Sequence, residues 1–216
     1  MRVEFHCHTR WSKDSLLEPE KLIAACKRKG LGKVVITDHN TILGAQAAQR
    51  LAPEYVVVGE EIMTTKGELL AFFVEQAIPA GLTPEDAIRR LREQGAFISV
   101  SHPFDEYRNG AWAIRDLDPI IDQVDAIEVF NSRCLKQSSN DLAILYALQH
   151  QKPGTAGSDA HAAMELGTAV VDVPNFDSAE GLKAVLGQGT VIGRLSPFWV
   201  HFFSQWARWR KRMKRS

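Results

Sequence analysis

Nine short β-branched or apolar runs dominate the chain, at residues 2–5, 34–37, 55–58, 69–74, 97–100, 126–130, 154–156, 169–173 and 190–192. Between them lie segments of helical character at 19–29, 42–51, 84–94, 141–149 and 179–186, several opening with Pro or an acid and closing near Gly. Strand and helix in regular turn is the pattern of an α/β fold. One stretch breaks it: between Glu61 and Leu69 a Gly-containing turn joins two strand-like runs, which predicts a local hairpin. No Pro/Ser/Gly-rich linker, repeat or low-complexity tract divides the body, so residues 1–195 read as one domain, with 196–216 as an appendage.

Polar residues stand directly after the apolar runs. His6 and His8 follow the first, Asp38 and His39 the second, Glu60 and Glu61 the third. His102 follows the run at 97–100, Glu128 and Asn131 close that at 126–130, and Asp159 and His161 follow that at 154–156. Parallel strands of an α/β barrel end at one face, so these side chains are expected to converge on one cleft. Neutral imidazoles and carboxylates are ligands that suit zinc, manganese or iron. A His-x-His on extended chain points both rings the same way, and Asp159-x-His161 repeats the spacing. The same alternation turns Cys7 away into packing as a small buried residue, and puts Glu60 and Glu61 on opposite sides, one facing the cleft. A structural role fits any one of these histidines alone. It does not fit six strand ends bearing His, Asp or Glu, because convergent carboxylates without a cation repel one another and are costly to bury.

His6-Cys7-His8-Thr9-Arg10-Trp11-Ser12-Lys13-Asp14-Ser15, Thr37-Asp38-His39-Asn40-Thr41, Gly59-Glu60-Glu61-Ile62, Ser101-His102-Pro103 and Gly157-Ser158-Asp159-Ala160-His161 resemble, in order and spacing, the motifs of the PHP (polymerase and histidinol phosphatase) domain family. The resemblance spans residues 1–195. It implies a distorted (β/α)7 barrel, with two or three divalent ions (Mn, Zn or Fe) at the C-terminal ends of the strands and hydrolysis of phosphoesters. It implies one ion held by His6, His8, Glu61 and Asp159, a second bridged through Glu61 near His102, and a third near Asp14, His39 and His161. Two positions depart from the family pattern. Where many relatives place a third histidine on the second ion, this chain offers Leu70 on one strand and Glu128 on another, so Glu128 is the substitute ligand. Some members have a histidine at the place of Asp14, and the Asp version looks more like the branch with nucleotide and nucleoside-bisphosphate phosphatases.

The implied activity is that of a metal-dependent phosphoesterase, hydrolysing phosphomonoesters of small metabolites or nucleotides by attack of a metal-bound hydroxide. Arg133 and Lys136, just beyond Asn131, are candidate phosphate clamps, Arg133 also in a catalytic role, with Arg10 a third. Asp38 is a candidate for orienting a ligand ring or taking part in proton transfer. The alternatives are an exonuclease or nucleic-acid phosphatase, and a non-catalytic, metal-stabilised binding module.

Charge separates the body from its tail. The chain has 26 cations and 26 anions, but Arg208, Arg210, Lys211, Arg212, Lys214 and Arg215 fall together, which leaves 20 cations against 26 anions in residues 1–207. Phe198, Trp199, Phe202, Phe203, Trp206, Trp209 and Met213 recur at three- and four-residue steps, an aromatic stripe on a helix. The first reading is that this stripe packs on the barrel or on a second subunit as a homo-oligomer. Peripheral membrane contact and stacking on single-stranded nucleic acid are the alternatives. Three widely spaced cysteines fit a reducing compartment, and neither an apolar leader nor a membrane-spanning run is visible, so the expected location is cytoplasmic.

Overall fold

The computed structural model describes residues 1–213, so Lys214 and Arg215 of the basic tail lie outside the described residues. Every apolar run forms a strand: β1 (Arg2–Glu4), β2 (Lys33–Ile36), β3 (Val56–Met63), β4 (Glu68–Phe72), β5 (Phe97–Val100), β6 (Ala126–Asn131), β7 (Gly154–Gly157), β8 (Ala169–Asp172) and β9 (Thr190–Gly193). The helices are α1 (Pro19–Arg28), α2 (Leu43–Leu51), α3 (Pro84–Glu93), α4 (Ile114–Leu117), α5 (Gln137–Gln149), α6 (Ala179–Val185) and α7 (His201–Met213). Local chemistry accounts for their starts. Proline opens α1 and α3, where its missing N–H is no loss, and the Thr83 side chain caps α3 by accepting from Asp86 N. Ser178 caps α6 in the same way, accepting from Gly181 N.

One sheet contains all nine strands in the order β7-β6-β5-β4-β3-β2-β1-β8-β9. Pairing is parallel from β1 to β3 and from β5 to β7; β4 runs antiparallel to both its neighbours, as the hairpin requires. The arc of β1 to β7 closes just past the ends of its outermost strands. Cys7 bridges Ala160 in parallel, His8 N donates to Ala160 O at 2.9 Å, and Asp159 N donates to His6 O at 2.7 Å. The expected seven-stranded ring is thus present, and β8 and β9, antiparallel to β1 and to each other, extend it to nine strands.

Two apolar layers sit on either side of the curled sheet. Val35 and Val57 point inward with Phe5, Leu70, Phe72 and Phe97, while Val34, Ile36, Val56 and Val58 point outward to the helices. Phe5 follows β1 and Phe72 lies on β4, three strands away, yet their ring centroids are 5.3 Å apart, a contact made across the barrel interior. Leu70 belongs to this interior packing and is fully buried.

Two expectations are revised. Helix α5 starts at Gln137, and short helical turns at Ile114–Leu117 and Asp118–Gln123 precede β6. The aromatic stripe of α7 stays largely exposed, with Phe203 and Trp206 bordering a cleft beside Leu16 and Leu17. Ser204 and Ala207 face inward instead, because small side chains let the helix backbone approach closely. All three cysteines are buried and free, and no described helix is long and apolar enough to cross a membrane.

Candidate metal centre

The loop after β1 is shaped by Asp38. Its Oδ1 accepts from Thr9 N (2.7 Å) and Ser12 Oγ (2.6 Å), and its Oδ2 accepts from Thr9 Oγ1 (2.5 Å). Ser12 Oγ, having donated its hydrogen to Asp38, accepts from His39 N and faces His8 Nδ1, both at 3.1 Å. It can only accept from that nitrogen, so His8 carries its proton on Nδ1 and turns the Nε2 lone pair inward. Glu128 does the same for His6, with Oε1 2.9 Å from His6 Nδ1. Asp38 is therefore placed behind His8 through Ser12.

Inside this frame the ligand atoms converge. His6 Nε2 and His8 Nε2 are 3.2 Å apart, His8 Nε2 is 3.1 Å from Asp159 Oδ1, and Glu61 places Oε1 3.3 Å from His6 Nε2 and Oε2 3.4 Å from His8 Nε2. His102 Nε2 stands 3.1 Å from Glu61 Oε1 and 3.4 Å from Glu68 Oε2. Asp14 Oδ1 lies 3.3 Å from His161 Nε2 and 3.6 Å from His39 Nε2. Among the described residues, three groups of ligand atoms are compact enough to hold an ion: His6, His8 and Glu61; His8, His39 and His161; and His39, Glu61 and Glu68. His8, His39 and Glu61 are each shared, so the groups adjoin.

The donor set fits divalent cations. Asp14 Oδ1 and His161 Nε2 are buried atoms that find no hydrogen-bond partner despite their closeness, an arrangement completed by a shared ion. Burial, then the charges of His161 and His39, push His8 down to about 3, so its ring is neutral and ready to ligate. Burial works against a charged His6 ring, but Glu61, Glu128 and Asp159 raise its pKa well above the ordinary value. Burial likewise opposes the charged forms of Glu61 and Asp159, yet His6 and His39 hold Glu61 well below its usual range, and Arg108 and His6 do so for Asp159. Such a ring of acids calls for positive charge. Asp159 also sits at φ 53°, a left-handed conformation uncommon for a residue other than glycine and typical of constrained sites.

Above the ligands lies a cavity of about 340 Å³, lined by His39, Glu68, Arg108, His161, His201 and Arg208 among others. Arg108 Nη1 donates to Asp159 Oδ2 at 2.5 Å, and Arg208 Nη2 donates to Asp14 Oδ2 at 3.1 Å. Helix α7 thus roofs the site. Sequence reasoning missed Glu68, Arg108, His201 and Arg208. Glu68 starts an antiparallel strand, so it reaches the ligand face from the opposite direction to every other ligand, and the other three come from a loop and a tail without metal-ligand spacing.

Four assignments are corrected. Glu128 stands behind His6 rather than among the ligands, since its Oε2 is occupied by His102 N (2.7 Å) and Asn131 Nδ2 (3.2 Å). Arg133 lines the cavity, but its guanidinium faces His161 Nδ1 (2.5 Å), Val200 O (3.1 Å), Ser204 Oγ (2.9 Å) and Glu165, so it is a strut between the site and α7. Lys136 lies on the surface over the Tyr107 ring and beside Glu106. Arg10 is also at the surface, stacked on Trp11 and paired with Glu18. The other expected residues, His6, His8, Asp14, His39, Glu61, His102, Asp159 and His161, are brought together. Glu60 turns away to accept from Ile78 N, and Cys7 packs in the core.

Residues 4–95 match the PHP domain, and residues 137–191 match the PHP-associated domain. An uncharacterized protein of Methanocaldococcus jannaschii is 36% identical over 158 residues, 67% of this chain and 90% of the relative. A second uncharacterized protein of that organism is 35% identical over 174 residues, 79% of this chain and 70% of the relative. Among solved structures, a two-domain Bacteroides vulgatus protein containing a predicted PHP-like metal-dependent phosphoesterase superposes with a TM-score of 0.73 at 20% identity, covering 90% of this chain and 65% of that one. Both domain matches lie in order along a barrel whose ligand cluster follows the same motifs, and with relatives this similar over most of their length, the chain belongs to the PHP-domain family.

Proposed function

We propose that this protein is a metal-dependent phosphoesterase that releases phosphate from small phosphorylated metabolites or nucleotides. One observation carries the reading: three adjoining ligand groups that share His8, His39 and Glu61 lie beneath a small roofed cavity. Divalent ions bound there supply a water of lowered pKa and offset the charge on phosphoryl oxygens. His6, His8, Glu61 and Asp159 would hold one ion, Asp14, His39 and His161 another, and Glu61 with Glu68 and His102 a third.

The chain's own contribution is binding and orientation. Arg108 and Arg208 flank the cavity with planar guanidinium groups suited to phosphate oxygens, in the role expected of Arg133 and Lys136. Ser12 and Asp38 fix His8, and Glu128 fixes His6, so the ligand rings need no reorientation as substrate binds. Burial, then Arg133 and Arg108, push His201 down to about 4, so at neutral pH it offers the leaving group a neutral ring. The roof formed by α7 favours a short ester over a polymer.

Phosphate release from a panel of phosphomonoesters, nucleotides and short oligonucleotides, with metal-loaded and chelator-treated protein, tests the reading. Metal-dependent turnover of a small monoester that vanishes in Asp159→Asn is expected. Silence towards all monoesters by protein with confirmed bound metal sinks it, and elemental analysis of the loaded protein distinguishes manganese, zinc and iron.

A further inference from the structure

Helix α7, with the short helical turn Phe198–Val200 that leads into it, has two faces. Val200, Ser204 and Ala207 are buried against the barrel, and that side is fastened by Arg133 to Val200 O and Ser204 Oγ, by Arg208 to Asp14, and by Lys211 to the carbonyls of Arg10 and Ser12. The opposite side carries Phe198, Trp199, Phe202, Trp206 and Trp209, which are 46% to 68% exposed. A helix held this firmly keeps a row of large aromatic side chains in water, and an exposed apolar patch of this kind marks an interaction surface.

Charge identifies the partner. There is no acid from His201 to Met213, and Arg208, Arg210, Lys211 and Arg212 fill the last turns. Arg210 lies over the Trp206 ring at 5.2 Å, a cation held at the border of the apolar face. We propose that this face docks on an anionic membrane surface, with α7 lying in the interfacial plane, its aromatic side at headgroup depth and Arg210 and Arg212 beside lipid phosphates. A second copy offers the same cations and no acid on this helix, so a face-to-face pair gains no charge complementarity. A nucleic-acid strand is best held by cations running along the aromatic platform. Here Phe198, Trp199, Phe202 and Phe203 occupy turns without cations, and the arginines gather at the far end.

The rest of the chain sets the orientation. Residues 1–207 carry six more anions than cations, so an anionic surface repels the body and admits the molecule by its last helix. His201 and Arg208 of that helix line the metal-centre cavity, so docking sets the bilayer against the roof of the cleft.

Co-sedimentation of the full chain with phosphatidylcholine–phosphatidylglycerol vesicles, with pure phosphatidylcholine vesicles as control, tests this independently of any hydrolytic activity. The chain should bind the anionic vesicles, release as salt is raised, and shift its tryptophan emission to shorter wavelength on binding. Phe202→Ser/Trp209→Ser should lower the partition coefficient about tenfold or more, and Arg210→Gln/Arg212→Gln should weaken binding to anionic vesicles alone. Circular dichroism checks that each variant folds; if the aromatic variant does not, the arginine variant and the emission shift of the unaltered chain decide. Absence of binding to anionic vesicles, binding unchanged in the variants, preferential binding of a short oligonucleotide, or burial of the face in a dimer that vesicles do not dissociate would each overturn the proposal.

Discussion

Arg208 Nη2 lies 3.1 Å from Asp14 Oδ2, a contact between residues 194 positions apart. It joins the last described helix to the ligand group of Asp14, His39 and His161, and makes α7 a wall of the site.

Replacement of Arg208 by Gln should lower kcat/KM for a phosphomonoester about ten- to a hundredfold, with metal content unchanged. The Arg208 side chain is half exposed, and an exposed ion pair contributes at most about 1 kcal/mol, so the melting temperature should barely move. Steady-state kinetics beside a thermal melt separates the two; a large loss of stability would make Arg208 a structural tie.

Glu61 and Glu128 are expected to behave differently although both are buried carboxylates beside His6. Glu61→Gln removes an acid shared by two ligand groups and should abolish metal retention and turnover together. Glu128→Gln disturbs only the acceptor behind His6 Nδ1, and metal affinity should fall about ten- to a hundredfold. Metal titration of both variants checks the order, and equal losses would return Glu128 to the ligand set.

Glu68 sets Oε1 3.8 Å from His39 Nδ1 and Oε2 3.4 Å from His102 Nε2. Glu68→Gln should reduce the number of ions retained per chain, measured by elemental analysis after dialysis. A full complement of metal would exclude Glu68 as a ligand.

The barrel seam leaves no room at Gly157. A Cβ there would meet His6 Cβ at 2.2 Å and His6 N at 2.8 Å. Gly157→Ala should therefore destabilise the protein by about 1–3 kcal/mol and weaken metal binding, because relief of the clash displaces a ligand residue. Denaturant unfolding with and without metal reads both effects.

Asp125 gives a pH-dependent test far from the metal centre. Its carboxylate accepts from Arg92 Nη1 (2.6 Å) and Ile98 N (2.9 Å) and pairs with Lys183 (2.9 Å). Burial opposes its charge, but Arg92, the Ile98 amide and Lys183 together hold its pKa below the ordinary 3.8. The stabilisation is therefore full above that unfolded value and is lost as the pH falls through the lower folded value. Asp125→Asn should cost about 1–2 kcal/mol at pH 7, towards the low end because water screens the exposed Lys183 and partly exposed Arg92. The difference from the parent should shrink in melts taken below pH 4, and a constant difference would assign the effect to packing.

The residues legible in sequence are those whose position follows from strand direction. His6, His8, His39, Glu61, His102, Asp159 and His161 all follow or end parallel strands or their extensions, and a single rule finds them. Glu68 escapes the rule because β4 is reversed, so its first residue lies at the face where other strands end. Arg133 carries the right charge in the right loop, yet the carbonyl of Val200 and the hydroxyl of Ser204 claim its guanidinium. That outcome depends on where a helix nearly seventy residues later comes to rest. The aromatic stripe of α7 is visible in the spacing, but spacing does not reveal that Ser204 and Ala207, the smaller neighbours, are the ones that pack.

The seam between residues 6–8 and 159–160 also has a consequence for how the protein is made. His8 leaves the ribosome 151 residues before Asp159, its neighbour across the seam. A nascent chain therefore holds most of its ligands, His102 included, before it can close the ring that assembles them. The group that includes His6, His8 and Asp159 is complete only once the residues after β7 lie beside those after β1.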